Sequence, residues 1–330
     1  MKKFNCLDLF KYFMALIVVA SHTHPLENCS NAFINSFYDV FIACAVQFFF
    51  LASGFMLGRK LEEPYNSEKD LSAISGYAVR MLKMYVIWSV VYLPLAIAEY
   101  LHDGKSFVYD IVLYIRGFIF TGSHHNSYAL WYLLSMFYAL VIIWILLKLK
   151  VSIKPILLIG FAIFLFGGSI STAEASESTF IIDRFFRLFK KITAMDGTFF
   201  SGLFFLTLGI FLADNEITLP QSIVMTLIGI IACFLKSPVF IYIVLCALGF
   251  FGIAINIKLP DSPVYSIIRQ ISTVMYFIHL WIWTVWYMVT SGKKTYGMTS
   301  FLATAIISTV IGLIYALVKR SLRNRRSSEA

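Results

Sequence analysis

Apolar residues fall along this chain in ten long blocks separated by short polar breaks. The blocks run roughly 7–25, 37–57, 78–98, 128–147, 153–170, 199–213, 222–235, 239–255, 272–290 and 300–318. Each is near the length an α-helix needs to cross a hydrocarbon core of about 30 Å. Lipid offers no partner to a free backbone N–H or C=O, so a spanning segment of this composition must close its hydrogen bonds within itself. The pattern therefore predicts an all-α polytopic membrane protein with about ten transmembrane helices. The first block lacks a small-x-small cleavage site and is followed at once by another apolar block, so it reads as a retained span rather than a signal peptide.

Two segments depart from the pattern. Residues 107–121 (FVYDIVLYIRGFIFT) are apolar but short and carry Asp110 and Arg116. They are expected to lie along the surface or to re-enter rather than cross. Residues 180–192 (FIIDRFFRLFKKI) place cations on one side and Phe and Leu on the other. That is the pattern of an interfacial amphipathic helix, with anchoring favoured over substrate binding.

Composition agrees with the pattern. Of 330 residues, 59% are hydrophobic and 14% charged, and the mean hydropathy is +0.80. A soluble domain this apolar would lack the polar surface it needs. The net charge of +9 is informative through its distribution, not as a sign of nucleic-acid binding. With the N-terminus inside, 17 of the 27 Lys and Arg residues fall at inner loops and ends and 9 at outer ones, with Lys11 inside the first block. This bias places both termini in the cytoplasm. The tail KRSLRNRRSSEA, residues 319–330, reads as a cytoplasmic anchor following a single transmembrane domain over 1–318. Cys6, Cys29, Cys44, Cys233 and Cys246 are scattered, without CxxC or metal spacing, so neither a disulfide framework nor a metal site is expected. P-loop, GxSxG and HExxH motifs are absent from the sequence. Chemistry must be built from residues in and between helices.

The first block supplies the leading candidates. Lys11 and His22 lie eleven positions apart. At about 100° per residue that is about three turns plus 20°, so the two share one helix face. Along the axis they stand roughly 16 Å apart. They can line one passage, with a cation near the inner end and an imidazole near the outer end. Snorkelling to opposite headgroup layers is the plainer alternative. Pro25 removes a backbone donor and helps end the helix. His24 lies about 200° around from His22 on a helical wheel, which selects His22 as the general base.

Other candidates follow along the chain. Ser53-Gly54 is a small pair in the aromatic run QFFFLASGFMLGRK. It suits close helix approach, expected against the first span, with a packing notch favoured over a nucleophilic serine. Arg80 and Lys83, at i and i+3 in GYAVRMLKMY, share a face at the inner end of the third span. They suit anchoring or a phosphate site. His124 and His125 fall in a polar outer loop, and Tyr128, Trp131 and Tyr132 fit an interfacial aromatic belt. His279, in MYFIHLWIW, sits well inside the ninth span. A hydrogen bond to a neighbouring helix is its favoured role, with proton or substrate handling the alternative.

Taken together these segments resemble the acyltransferase family 3 membrane proteins. Lys11-x10-His22 reproduces that family's basic-x10-His first span, with lysine where arginine is commoner. FFFLASGFML is similar to its FFxxSGF-type second span, Arg80 and Lys83 to its basic cluster opening the third. ALWYLLSMFYAL is similar to its LWYL segment, and YFIHLWIW to its late Y-x-x-H span. Met195-Asp196-Gly197 departs from an Arg-Asn-Gly-like stretch, and no fused esterase-like or racemase domain is expected after the tail. The resemblance implies O-acyl, usually O-acetyl, transfer from cytoplasmic acyl-CoA to a hydroxyl of an envelope sugar or lipid-linked glycan, with no bound cofactor or metal. It implies a multi-pass protein of the cell (inner) membrane. His22 and Lys11 would act in catalysis, His22 either deprotonating the acceptor hydroxyl or carrying the acyl group transiently, and Arg80 and Lys83 in donor binding. Ser53, Tyr128, Trp131 and His279 would support them. Transport of a small polar solute such as an amino acid is the competing reading.

Overall fold

The computed structural model describes residues 4–104, 106–123, 127–175, 180–195, 197–215, 217–293 and 295–328. His124, His125 and Asp196 lie outside the described residues. Twelve α-helices are described and no strand. In chain order they are α1 Asn5–Thr23, α2 Ala32–Gly58, α3 Glu68–Asp103, α4 Phe107–Arg116, α5 Trp131–Lys148 and α6 Ile153–Ala175. Then follow α7 Ile181–Thr193, α8 Ser201–Leu212, α9 Leu219–Phe234, α10 Val239–Asn256, α11 Pro263–Val289 and α12 Met298–Ser328.

The ten apolar blocks all fall on helices. Among the described residues, eight helical segments are long and apolar enough to cross a membrane: α1, α2, α3, α5 with its preceding turn, α6, α10, α11 and α12. The other two blocks form shorter helices, α8 with 12 residues and α9 with 16. The protein is thus an all-α, multi-pass membrane protein. The short segment 107–121 forms the ten-residue α4 followed by a five-residue π-turn, Gly117–Thr121. The two are continuous and together span about 22 Å, shorter than a hydrocarbon core of about 30 Å. The segment is held in place by the Tyr85 and Tyr138 hydroxyls, which donate to the carbonyls of Phe118 (2.7 Å) and Ile119 (2.6 Å). The amphipathic segment forms α7, none of whose residues is buried. It meets the following helical segment at 92°, as a helix lying in the interface before a crossing would. Helix α12 continues through the basic segment to Ser328.

The chain divides into two compact units, residues 1–48 with 217–330, and residues 49–216. In the first unit α1 packs against α10, α11 and α12. The first half of α2 joins through ring contacts from Phe48 to Phe10 and Phe251, and from Phe41 to Phe250. The N-terminus of α1 is tied down by Asn5, whose amide donates to the Leu259 and Pro260 carbonyls and to the Asp261 carboxylate. Tyr12 bonds Thr309 of α12 at 3.1 Å.

In the second unit α3 packs on α5, and α8 lies against α5 and α6. Here the small pair at Ser53-Gly54 meets α8, not the first span as its sequence suggested. A Cβ on Gly209 would lie 2.8 Å from the Phe55 nitrogen and 3.0 Å from the Gly54 Cα. Only glycine at both positions lets the two backbones approach this closely.

Candidate functional site

Helix α1 ends where Pro25 demands it. Thr23 is its last residue, and His24 adopts the left-handed conformation (φ 45°, ψ 59°) as its C-cap. The His24 N–H donates to the Ala20 carbonyl at 2.9 Å. The Thr23 carbonyl accepts from the Gly297 N–H at 2.8 Å, and the Tyr38 hydroxyl donates to the Ala20 carbonyl at 2.9 Å. His22 therefore sits in the last helical turn, with the backbone on both sides of it held by α2 and by the loop between α11 and α12. Because the helix stops at Thr23, His24 is off the helical wheel. It turns out to an exposed position, its ring edge-on to Tyr296 with centroids 5.1 Å apart.

The structure brings His22 against His279. Their ring centroids are 5.3 Å apart and the ring planes inclined by 34°. His279 is fully buried. Its Nδ1 lies 2.7 Å from the Tyr276 carbonyl and 3.1 Å from that of Met275. Carbonyls only accept, so Nδ1 must carry the proton, and in the neutral ring Nε2 holds the lone pair. That Nε2 is buried and has no hydrogen-bond partner among the described residues. The expected bond to a neighbouring helix is thus replaced by bonds within α11 itself. What the neighbouring helix contributes is the His22 ring. An unpaired buried acceptor costs about 1–3 kcal/mol, and here it lies beside a second imidazole.

Eleven residues back along α1, Lys11 is half-buried one turn from Asp8. Asp8 is buried and pairs with Arg269 of α11 at 3.5 Å. Lys11 lies within electrostatic reach of both. This end of α1 is a small charged cluster whose members partly compensate one another.

The remaining candidates lie in the second unit. Arg80 and Lys83 are both exposed on α3, the Arg80 guanidinium 5.5 Å from the centre of the Tyr77 ring. The Ser53 hydroxyl is 3.3 Å from that of Tyr132 and also bonds Tyr77. Both partners are phenols, which are not bases toward an alcohol at neutral pH, so nothing here activates Ser53 as a nucleophile. Tyr128 is half-exposed in the turn before α5, and the Trp131 ring stands 6.2 Å from that of Phe50. Below α2, the buried Tyr65 hydroxyl donates to the Asp214 carboxylate. Burial, reinforced by that carboxylate, pushes the phenol well above its ordinary range, so it serves as a fixed donor. No cluster of His, Cys, Asp and Glu among the described residues has the makings of a metal site.

Sequence reasoning did not point to the pairing of His22 with His279, to the Asp8–Arg269 bridge, or to Tyr77 and Tyr132 as the partners of Ser53. Only Asp8 left a signal, one turn before Lys11 on the same face.

A model of the acyltransferase domain family, acyltransferase 3, matches residues 4–318. Two curated proteins of Enterococcus faecalis, each described as an amino-acid racemase, are 28% identical to this chain. One match covers 219 residues, 65% of this chain, and the other 212 residues, 63%. The matched region spans 29% of each relative's length. No solved structure matches.

Proposed function

The chain belongs to the acyltransferase 3 family, and on that premise we propose that it transfers an acyl group, acetyl in the simplest case, from acyl-CoA to a hydroxyl of a cell-envelope sugar or lipid-linked glycan. The observation that carries this reading is the His22–His279 pair. An acyl transfer to an alcohol needs a base at the hydroxyl, and needs that base oriented. His279 is held in one tautomer by the Met275 and Tyr276 carbonyls, leaving a lone pair with no other partner. The reading needs the His22 ring turned so that one of its N–H groups meets that lone pair, the two ring centres standing 5.3 Å apart. The opposite nitrogen of His22 is then the base. It takes the proton of the acceptor hydroxyl as the oxygen attacks the thioester carbonyl. The tetrahedral adduct collapses to the ester, and CoA leaves as the thiol with the proton returned from His22.

Lys11 supplies positive charge on the His22 face of α1. Arg80 and Lys83, exposed on α3, offer cations of the kind that bind donor phosphates. The expected arrangement has both chain termini in the cytoplasm, the donor entering from that side, and His22 near the outer face of the cell membrane.

The test is mass analysis of surface glycans from cells with the gene, without it, and with His22→Ala. A mass step of one acyl group, present only with the intact protein, is expected. Identical glycan masses in all three, with amino-acid uptake changed instead, would overturn acyl transfer in favour of transport. The partial likeness to proteins described as amino-acid racemases makes that arm worth measuring.

A further inference from the structure

Beyond the histidine pair, the first unit contains a cleft of about 460 Å³ at the C-terminal end of α1. That falls within the roughly 300–1,000 Å³ of small-molecule sites. Its walls include His24, Glu27 and Cys29 from the loop after α1, Tyr38 and Asp39 from α2, and Tyr296 from the loop before α12. Three of those walls are fastened to the stretch that holds His22. Tyr38 donates to Ala20, Gly297 beside Tyr296 donates to Thr23, and His24 caps the helix itself. The loop is further fixed by the Asn35 amide, which donates to the Cys29 carbonyl at 2.8 Å.

Two features say what the cleft can hold. The first is charge. Among the described residues its lining carries the carboxylates of Glu27 and Asp39 and neither lysine nor arginine. A CoA moiety, with its several phosphate charges, is repelled by such a wall, so this is not the donor's site. The second is the position of Asp39. It is exposed, seven residues into the long apolar helix α2, or about 10 Å along its axis. At 27 residues, about 40 Å, α2 is longer than a hydrocarbon core of about 30 Å, so Asp39 sits near the end of the span. It faces the cleft. Carboxylate acceptors set among the rings of Tyr38 and Tyr296 suit a ligand with many O–H donors and apolar C–H faces.

We infer that this cleft is the acceptor subsite and that it takes a neutral or amino-substituted sugar ring while excluding anionic ones. The inference deepens the proposed acyl transfer and rests on it for the word acceptor. The binding claim stands separately. In this inference hydroxyls of the ring donate to Glu27 and Asp39, its C–H face lies on Tyr296, and one remaining hydroxyl reaches past the wall to His22, two residues before His24 at the same end of α1.

Cys29 lies in the wall and reports occupancy without turnover. The protein would be purified in detergent as the full chain with Cys233→Ser, since Cys6, Cys44 and Cys246 are buried. Cys29 labelling would be timed with a cationic and an anionic methanethiosulfonate of similar size. It would then be timed with neutral methyl hexosides, N-acetylhexosaminides, a free amino sugar and glucuronate as competitors. The cationic reagent is expected to react at least about tenfold faster, one 1.4 kcal/mol step in local potential. Asp39→Asn with Glu27→Gln should reduce that ratio toward one. At least one neutral or amino sugar should slow labelling threefold or more. Glucuronate should not, and the double variant should lose the protection. Equal rates for the two reagents, or protection by none of the neutral and amino sugars, or protection by glucuronate as well, would overturn the subsite. A glycan mass step without protection would leave acyl transfer standing and remove the cleft. Protection without a mass step would do the reverse.

Discussion

The two ends of α1 carry ionisable groups in opposite conditions. At the N-terminal end the polar groups are partly answered. Asn5 donates to three acceptors, Asp8 meets Arg269, and Lys11 lies within reach of both charges. At the C-terminal end the backbone is equally well tied, but the His279 Nε2 is left buried and unpaired beside His22. The first arrangement lowers the cost of placing charges in a helix surrounded by apolar neighbours. The second keeps a cost that packing alone would have removed. The difference teaches how these two ends divide: paired groups fasten one, while at the other the unpaired His279 Nε2, one of several such buried atoms among the described residues, is set apart by the second imidazole beside it.

The sharpest way to break this comparison is at the incomplete end. His22→Ala should lower acyl transfer by about 10²–10⁴-fold, the range for loss of a positioned general base. Membrane insertion and the detergent melting midpoint should stay near those of the parent. Retention of more than a tenth of the activity would remove His22 from the chemistry. His279 acts through His22, so His279→Ala should cost less, about 10–100-fold, by analogy with partners that orient a ligand or base. The loss should fall on kcat, with KM for donor and acceptor unchanged. His279→Asn, which can still bond the Met275 or Tyr276 carbonyl, should recover part of it. A change confined to KM, or equal losses in the Asn and Ala variants, would reduce His279 to a packing residue.

How far this was legible in the sequence differs between fold and site. Each of the ten apolar blocks is a helix, because block length against bilayer thickness is a one-dimensional property. The reading of 107–121 as a non-spanning segment rested on the same arithmetic and agrees with the short α4. The likeness of Lys11-x10-His22 and the later segments to one family was also visible, and the family match over residues 4–318 agrees with it. Contacts between distant residues were not visible. His22 and His279 are separated by nearly the whole chain, and no local pattern says that α1 and α11 run side by side. The wheel argument that set His24 aside assumed a helix continuing to residue 24. Pro25 ends it first, and the left-handed turn at His24 sends that ring into the cleft wall instead. The Ser53-Gly54 notch was read correctly as a place of close approach, but a notch does not name the helix that fills it, and that helix is α8.

Lys11 tests the middle of the comparison, since it shares the His22 face but keeps company with Asp8. Lys11→Ala should raise the KM for acyl-CoA about tenfold, one 1.4 kcal/mol step, with a smaller change in KM for the acceptor. Lys11→Arg should stay within about twofold of the parent, because the charge is preserved although the donor geometry is not. A Lys11→Ala protein with unchanged donor KM would assign Lys11 wholly to the structural end, as the counter-charge of Asp8.

The smallest effect is expected at the Asp8–Arg269 bridge, and its smallness is what the comparison requires. The pair is long for an ion pair, at 3.5 Å, and the Arg269 side chain is 53% exposed, against 12% for Asp8. Solvent around the guanidinium screens the attraction, so the bridge is worth about 0–1 kcal/mol. Replacing Arg269 with Ala also leaves Asp8 with Lys11 one turn away, so no carboxylate is stranded. Arg269→Ala should therefore lower the detergent melting midpoint by a few degrees at most and leave kcat close to that of the parent. Arg269→Lys, which restores a charge, should be nearer still. A loss of turnover in Arg269→Ala comparable to that of His22→Ala would mean that the completed end of α1 also takes part in the reaction. The distinction between answered and unanswered polar groups would then fail as a guide to function in this protein.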